Sequence, residues 1–450
     1  MSSGSSPDSE GMSGVMDFKI RIFDPEVLSA LKLTLLWSGI SLVPAYAIAM
    51  AVASVSRGRG LRPLRGLAVL PGMFYAWVVL VLLRHLAPDF RFSMIAVTLA
   101  WILAGIPYLS VAFSEGIGDL DPRNREAMMS LGASRFRLWW HHDFLQTVPV
   151  QASALLQQLW HILTSFSIVM ILGGGPPRET LEVAIYTSMR LDRVDPGLAA
   201  ALAFWQALIL LILRGFIGRL RSRPVTGFSP RHAGEHAGRN LPLVFISMVG
   251  LAVLVATRSD PEEWIHPLIT SVVLAVLSAM GSLLFSLGAY FSGWRMFAEI
   301  GAWVSPMVLS WICWGVSMRW SLGSLPVLVV IQSVLFAPWF ARTVFPLLDR
   351  RRTEEMNAAR LLGATPVRAW IWVEWPRVRG PVLSVAGWVA ALSVMEVSSV
   401  MWFSKGDFDT LSSWVQNLFL RFRIDEAGAG FAILVLLAYA FLGMTEKGGK

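Results

Sequence analysis

Glu126-Ala-Met-Met-Ser-Leu-Gly132-Ala133-Ser134-Arg-Phe-Arg-Leu-Trp139 returns at the same spacing as Asn357-Ala-Ala-Arg-Leu-Leu-Gly363-Ala364-Thr365-Pro-Val-Arg-Ala-Trp370. In each copy a short helix is expected to end at the glycine, which supplies the left-handed conformation of a helix C′ position. A second helix then starts at once, with Ser134 and Thr365 placed as N-caps and Pro366 where a missing N–H costs nothing. Asp121-Pro122 opens the earlier helix of the first copy in the same way. The product is a compact helix-turn-helix rich in arginine and tryptophan. A plain surface hairpin would not need such capping twice at matched positions, so the loop reads as a docking element for another protein.

The surroundings of both copies are apolar. Of 450 residues, 55% are hydrophobic and 15% charged, with a mean hydropathy of +0.58. That balance belongs to an integral membrane protein. The single cysteine, Cys313, forms no internal disulfide and supplies no cysteine-based metal site. A helix needs about 20 apolar residues to cross the hydrocarbon core. Eleven such stretches are expected, at roughly 28–50, 67–84, 92–113, 148–173, 197–217, 241–257, 267–292, 296–317, 325–347, 381–403 and 428–444. The 20 tryptophans suit interfacial belts.

The net charge of +8 is explained by arginines gathered in alternate loops, as the positive-inside rule expects, without invoking nucleic acid as a partner. Arg57, Arg59, Arg62 and Arg65 follow the first span; Arg123, Arg125, Arg135 and Arg137 the third; Arg219, Arg221, Arg223, Arg231 and Arg239 the fifth. Arg350, Arg351, Arg352, Arg360, Arg368, Arg377 and Arg379 follow the ninth, and Lys447 and Lys450 end the chain. Arg178, Arg190 and Arg193, in an opposite loop, weaken the contrast. The C-terminus is expected to be cytoplasmic and the N-terminus outside. Residues 1–26 carry no apolar core of a signal peptide and read as a disordered tail, with Lys19 and Arg21 solvated. A leading helix absent from this sequence would account for the odd number of spans.

Gly132 and Gly363 lie 231 residues apart, and the same offset carries the second to fifth spans onto the eighth to eleventh. The first span falls about eight residues short of the seventh, and Thr180-Leu181 echoes Thr410-Leu411 at almost the same offset. The expected organisation is a tail (1–26), a first domain (27–220), a cytoplasmic linker with a bridging helix (221–266) and a second domain (267–450). Two parallel five-helix repeats, related by an axis along the membrane normal, would hold a pathway at their interface.

The pattern Glu-Ala-Ala, three residues, Gly, nine residues, Ile-x-Leu-Pro is the cytoplasmic signature of permease subunits of bacterial ABC importers, and this chain resembles that family from about residue 28 to its end. The first copy matches at Glu126, Ala127 and Gly132, with Ala133 following; the second matches at Ala358, Ala359, Gly363 and Pro376, with Ala364 following. Met128 replaces an alanine, Asn357 replaces the glutamate, and Leu145 stands where proline is expected, with Pro149 four residues later. The resemblance implies that each loop is a coupling helix seated on an ATP-binding cassette ATPase, with two ATPases engaged unequally. It also implies alternating access, delivery of cargo by a periplasmic or extracellular substrate-binding protein, and residence in the bacterial inner membrane. Two permease domains in one chain look like the iron(III) and thiamine branch. Ser165 to Pro176 and Thr180 to Tyr186 resemble thiamine permeases, whereas Met395-Glu-Val-Ser-Ser399 and Phe408-Asp-Thr-Leu411 look more like ferric-iron permeases.

No G-x-x-x-x-G-K-[ST] phosphate loop occurs, so ATP hydrolysis is expected on a partner. No metal-ligand cluster, cofactor motif or activated nucleophile stands out, and the chain reads as a transport subunit rather than an enzyme. His141 and His142 point about 100° apart on a helix and read as interface residues of the coupling loop. A polytopic membrane enzyme would show acid, base or metal residues clustered at one face, and a secondary carrier would show coupling-ion sites. Glu396 stands within the tenth span, where an ionisable group is costly, and the offset of 231 brings Ser165 to the matching place in the fourth. Both could line the substrate pathway; equally, Ser393, Ser398 or Ser399 could satisfy the carboxylate in a purely structural role.

Overall fold

The computed structural model describes residues 21–56, 70–173, 178–190, 194–219, 261–320, 323–349, 353–404 and 408–448, with isolated positions 61, 64, 67, 68 and 175. Among them there is no strand. The helices of the first half are α1 (Pro25–Ser56), α2 (Gly72–Leu86), α3 (Met94–Gly118), α4 (Pro122–Ser130), α5 (Arg135–Leu138), α6 (Val148–Leu163), α7 (Phe166–Leu172), α8 (Leu181–Thr187) and α9 (Pro196–Arg219). The second half repeats them in order as α10 (Pro261–Phe291), α11 (Pro306–Trp320), α12 (Ser324–Asp349), α13 (Thr353–Leu361), α14 (Pro366–Ala369), α15 (Trp375–Met395), α16 (Ser398–Phe403), α17 (Leu411–Leu420) and α18 (Ile424–Gly448).

Seven of these helices are long and apolar enough to cross a membrane, or up to nine segments if each of two bent pairs counts as one span. The protein is thus an all-α, multi-pass membrane protein. Ten of the expected spans fall on described helices, and the sixth, at 241–257, lies outside the described residues, as do most of the tail and of the linker. Three expected spans are not continuous helices. The fourth is broken between α6 and α7, which meet at 52°, and the tenth between α15 and α16. The eighth starts in a 3-10 segment, Arg295–Ala302, set at 113° to the following helix. The second is short, the 15 residues of α2, or about 22 Å of helix.

The chain packs into two units that do not coincide with its halves. One comprises residues 1–225 with Val304–Val316, the other Thr226–Trp303 with Ser317–Lys450. In the first unit α3 is central, packing against α1, α2, α6 and α7. Apolar residues bury most of its length, and Trp101 and Phe113 are among the largest fully buried side chains. Ser93 caps α3 through the Ala96 N–H at 3.3 Å. In the second unit α10, α12 and α15 share a core of Ala279, Phe340, Val344, Leu348, Val378, Val382, Val385 and Val389. A proline sits inside each copy of the third helix, Pro107 and Pro338, again 231 residues apart. Each removes one intrahelical hydrogen bond from a long span.

The same tether closes both units. The Leu181 N–H at the start of α8 donates to Thr34 Oγ1 on α1 (2.9 Å), and the Leu411 N–H of α17 donates to Ser271 Oγ on α10 (2.8 Å). Thr180 and Thr410, the echo seen in the sequence, are the residues preceding those two helices. Arg21 is not merely solvated: it pairs with Asp195 beside the start of α9. Burial would raise the Asp195 carboxyl, but the Leu198 N–H, the Arg21 guanidinium and the Gly197 N–H outweigh it and hold the group below its ordinary value.

Candidate coupling loops and broken spans

Each repeated loop is built by the same hydrogen bonds. Asp121 accepts the Arg123 N–H at 2.9 Å and Pro122 takes the first helical position of α4. The helix ends in a Schellman motif: the Gly132 N–H donates to Met129 O (2.9 Å), the Ala133 N–H to Met128 O (3.0 Å), and Gly132 has φ +77°. In the second loop the Gly363 N–H donates to Arg360 O (2.9 Å) and the Ala364 N–H to Ala359 O (3.0 Å), with φ +87° at Gly363. Ser134 and Thr365 then cap the next helix by accepting the Arg137 and Arg368 N–H groups, each at 3.3 Å. No atom lies within 4 Å of a Cβ built on either glycine, so backbone conformation alone demands glycine there.

The loops present apolar side chains to solvent. α4 buries none of its residues. Leu131 and Leu362, each just before the Schellman glycine, are 87% and 89% exposed. Leu361, Phe136 and Trp372 are exposed beside them. Glu126, Ala127, Asn357, Ala358 and Pro376 are exposed or half-buried, as are Ala133, Ala359 and Ala364. The shifted proline also has a structural counterpart. Pro376 is the second residue of α15 and Pro149 the second of α6, so the first-half helix starts later, after a 3-10 turn at Leu145–Thr147.

Beneath each loop the chain widens into a π-helical segment, Trp139–Phe144 and Trp370–Glu374. Each segment holds a buried carboxylate at the same repeat position, Asp143 and Glu374. His142 Nδ1 lies 2.9 Å from Asp143 Oδ1, and Arg377 Nη2 lies 3.5 Å from Glu374 Oε2. His142 is therefore not an interface residue: it is buried against Asp143, while His141 is exposed. Periodicity put the two rings on different faces; it gave no sign that the inward one would meet an acid adjacent in sequence.

Ser165 and Glu396 mark the two breaks. Ser165 precedes α7, and its Oγ accepts the Trp101 Nε1–H at 3.1 Å. Glu396 follows α15 in an extended conformation, and its carboxylate accepts the Ser398 N–H at 2.9 Å and the Ser399 N–H at 3.0 Å, together with the Ser399 hydroxyl. The carboxylate thus caps α16, favourably placed at a helix N-terminus. The Ser393 hydroxyl takes no part and bonds Gln332 instead. A second carboxylate in the first unit, Glu182 on α8, is wholly buried. It accepts from Gln206 Nε2 at 3.0 Å and from the Met307 N–H of α11 at 3.4 Å. The apolar helix Leu181–Thr187 around it was the signal, but it lies outside every stretch long enough to span.

Residues 32–224 match the family described as binding-protein-dependent transport system inner membrane component. The chain is also 26% identical over 401 residues to the thiamine transport system permease protein ThiP of Brucella abortus, covering 80% of this chain and 72% of that protein. Residues 32–224 are thus a permease domain of the ABC importers, and the chain as a whole is similar to permease subunits of that kind. The ThiP of Haemophilus influenzae is 23% identical over 397 residues, covering 78% of this chain and 72% of that one. The Escherichia coli ThiP is 24% identical over 195 residues, or 42% of this chain and 31% of that protein. No solved structure matches. A permease of this family is a multi-pass inner-membrane subunit that works with an ATPase and a substrate-binding protein and is not itself an enzyme, so neither a membrane enzyme nor a self-powered carrier describes it.

Proposed function

We propose that this permease passes thiamine across the inner membrane by alternating access, powered by two ATPases that dock one to each repeated loop. The cargo reading is carried by relatives from Brucella and Haemophilus that bear the name of a thiamine transport permease and match about four fifths of the chain. Two docking sites are supported by the matched Schellman turns, each presenting an exposed leucine, Leu131 or Leu362. In this reading Glu126, Ala127, Gly132 and Ala133 form the first coupling surface, and Asn357, Ala358, Ala359, Gly363, Ala364 and Pro376 the second. Both loops and the C-terminus are cytoplasmic, as the arginine distribution favours. The domains are 27–220 and 267–450, joined through 221–266. Ser165 and Glu396 lie along the pathway because the breaks they mark free backbone groups at membrane depth, which a membrane protein tolerates where the chain lines a cavity or is buried in protein.

A second cargo, iron(III), is favoured only by the likeness of Met395–Ser399 and Phe408–Leu411 to ferric-iron permeases. Vesicles carrying the chain, its ATPase and its binding protein decide between them. ATP-dependent uptake of labelled thiamine is expected; uptake of iron(III) without thiamine would overturn the cargo reading.

A further inference from the structure

The lipid-facing character of the first unit is plain on α1 and α9, whose exposed large side chains include Leu35, Ile40, Val43, Leu211 and Ile212. α6 is different. It buries Gln151, Ala154, Gln158 and Ile162 in the unit, yet leaves the side chain of His161 exposed. Counted from Val148 at 1.5 Å per residue, His161 lies about 20 Å along a span that crosses a core of about 30 Å. Among the described residues no hydrogen-bond partner reaches its ring nitrogens. The imidazole lies instead against Tyr108 of α3, with ring centroids 5.5 Å apart and planes inclined at 33°. Two residues later α6 ends, and Ser165 stands at the break before α7.

An imidazole turned toward acyl chains at this depth would leave both ring nitrogens without partners, at a cost that aliphatic neighbours on α1 and α9 avoid. Water satisfies those nitrogens where a helix lines an aqueous route. We infer that His161, backed by Tyr108, lines the water-accessible translocation pathway of the first unit and offers passing cargo a flat ring with a hydrogen-bonding edge. The fitting ligand class is a heteroaromatic cation, which stacks on such a ring and uses its polar edge. This cargo class rests on the thiamine reading given above; the aqueous placement of His161 does not.

The test uses the full chain with its ATPase and binding protein in membrane vesicles, with Cys313→Ser as background. A cysteine at position 161 (His161→Cys) is compared with one at Ile40 (Ile40→Cys) in reaction with a charged, membrane-impermeant methanethiosulfonate. Reaction at 161 at least about tenfold faster than at 40 is expected, slowed by thiamine-loaded binding protein. A rate at 161 no higher than at 40 would overturn the placement, even if the parent protein transports thiamine. Failure of the parent to transport thiamine would instead overturn the cargo reading, and the relative labelling rate would still decide the placement. Protein with His161→Phe keeps a ring and His161→Ala does not. Per folded complex, the alanine variant is expected to lose roughly tenfold in thiamine kcat/KM and the phenylalanine variant less. Equal loss in both would overturn the stacking role.

Discussion

The two copies of the coupling loop share a backbone and differ in charge. Both end a nine-residue helix on a left-handed glycine, both start the next helix on a hydroxyl cap, and both push a leucine into solvent. Yet Glu126 is answered by Asn357, and the buried carboxylate below is held by His142 in one copy and by Arg377 in the other. Hydrogen-bond geometry admits few substitutes, because a residue at φ near +80° must be glycine to avoid strain. The partner of a buried carboxylate admits more variety, since different polar side chains in reach can serve. Duplication therefore preserved the turn while the electrostatics around it diverged, which is how one chain could present two unequal docking surfaces.

The largest expected effect breaks what the copies share. Gly132→Pro or Gly363→Pro cannot adopt the left-handed turn, and ATP-driven uptake is expected to fall by more than about tenfold with either. Gly132→Ala has space for its Cβ and meets only the conformational cost of about 1–2 kcal/mol, so it should retain much more activity. Full uptake by both proline variants would remove the turn from the coupling mechanism.

What differs between the copies can be sharpened next. Arg377→Met strips the countercharge from Glu374, which is 1% exposed, and should destabilise the protein by about 3 kcal/mol, visible as a lowered midpoint of thermal unfolding in detergent. His142→Asn retains a hydrogen-bonding side chain beside Asp143 and should cost about 1 kcal/mol. Reversal of that order would mean that Arg377 is not the principal partner of Glu374. The smallest effect concerns the solvent-exposed difference: Glu126→Ala should reduce transport a few-fold and Asn357→Ala less, since an exposed ion pair contributes about 1 kcal/mol at most. Equal effects in a transport assay would argue against unequal docking.

The loops were legible in the sequence because capping is local. Asp121, Gly132, Ser134, Gly363 and Thr365 each act within about four residues, and every cap expected of them is present. The spans were legible as apolar stretches but not as broken ones. The breaks after Leu163 and Met395 carry neither glycine nor proline; they are held by distant or short-range partners such as Trp101 and the Ser399 N–H, which periodicity does not report. Glu396 was legible as costly, but its capping of α16 depended on a break invisible in the hydropathy. Glu182 escaped notice because its partners come from α9 and α11.

The central claim is that two homologous loops each seat an ATPase. The direct measurement is the number of ATPase copies per permease chain in purified complex, by native mass spectrometry. Two per chain are expected for the parent protein and one for Leu362→Asp, which puts a charge on the apolar tip of the second loop while leaving its turn intact. One ATPase per parent chain, or two retained when Leu131→Asp and Leu362→Asp are combined, would contradict the account.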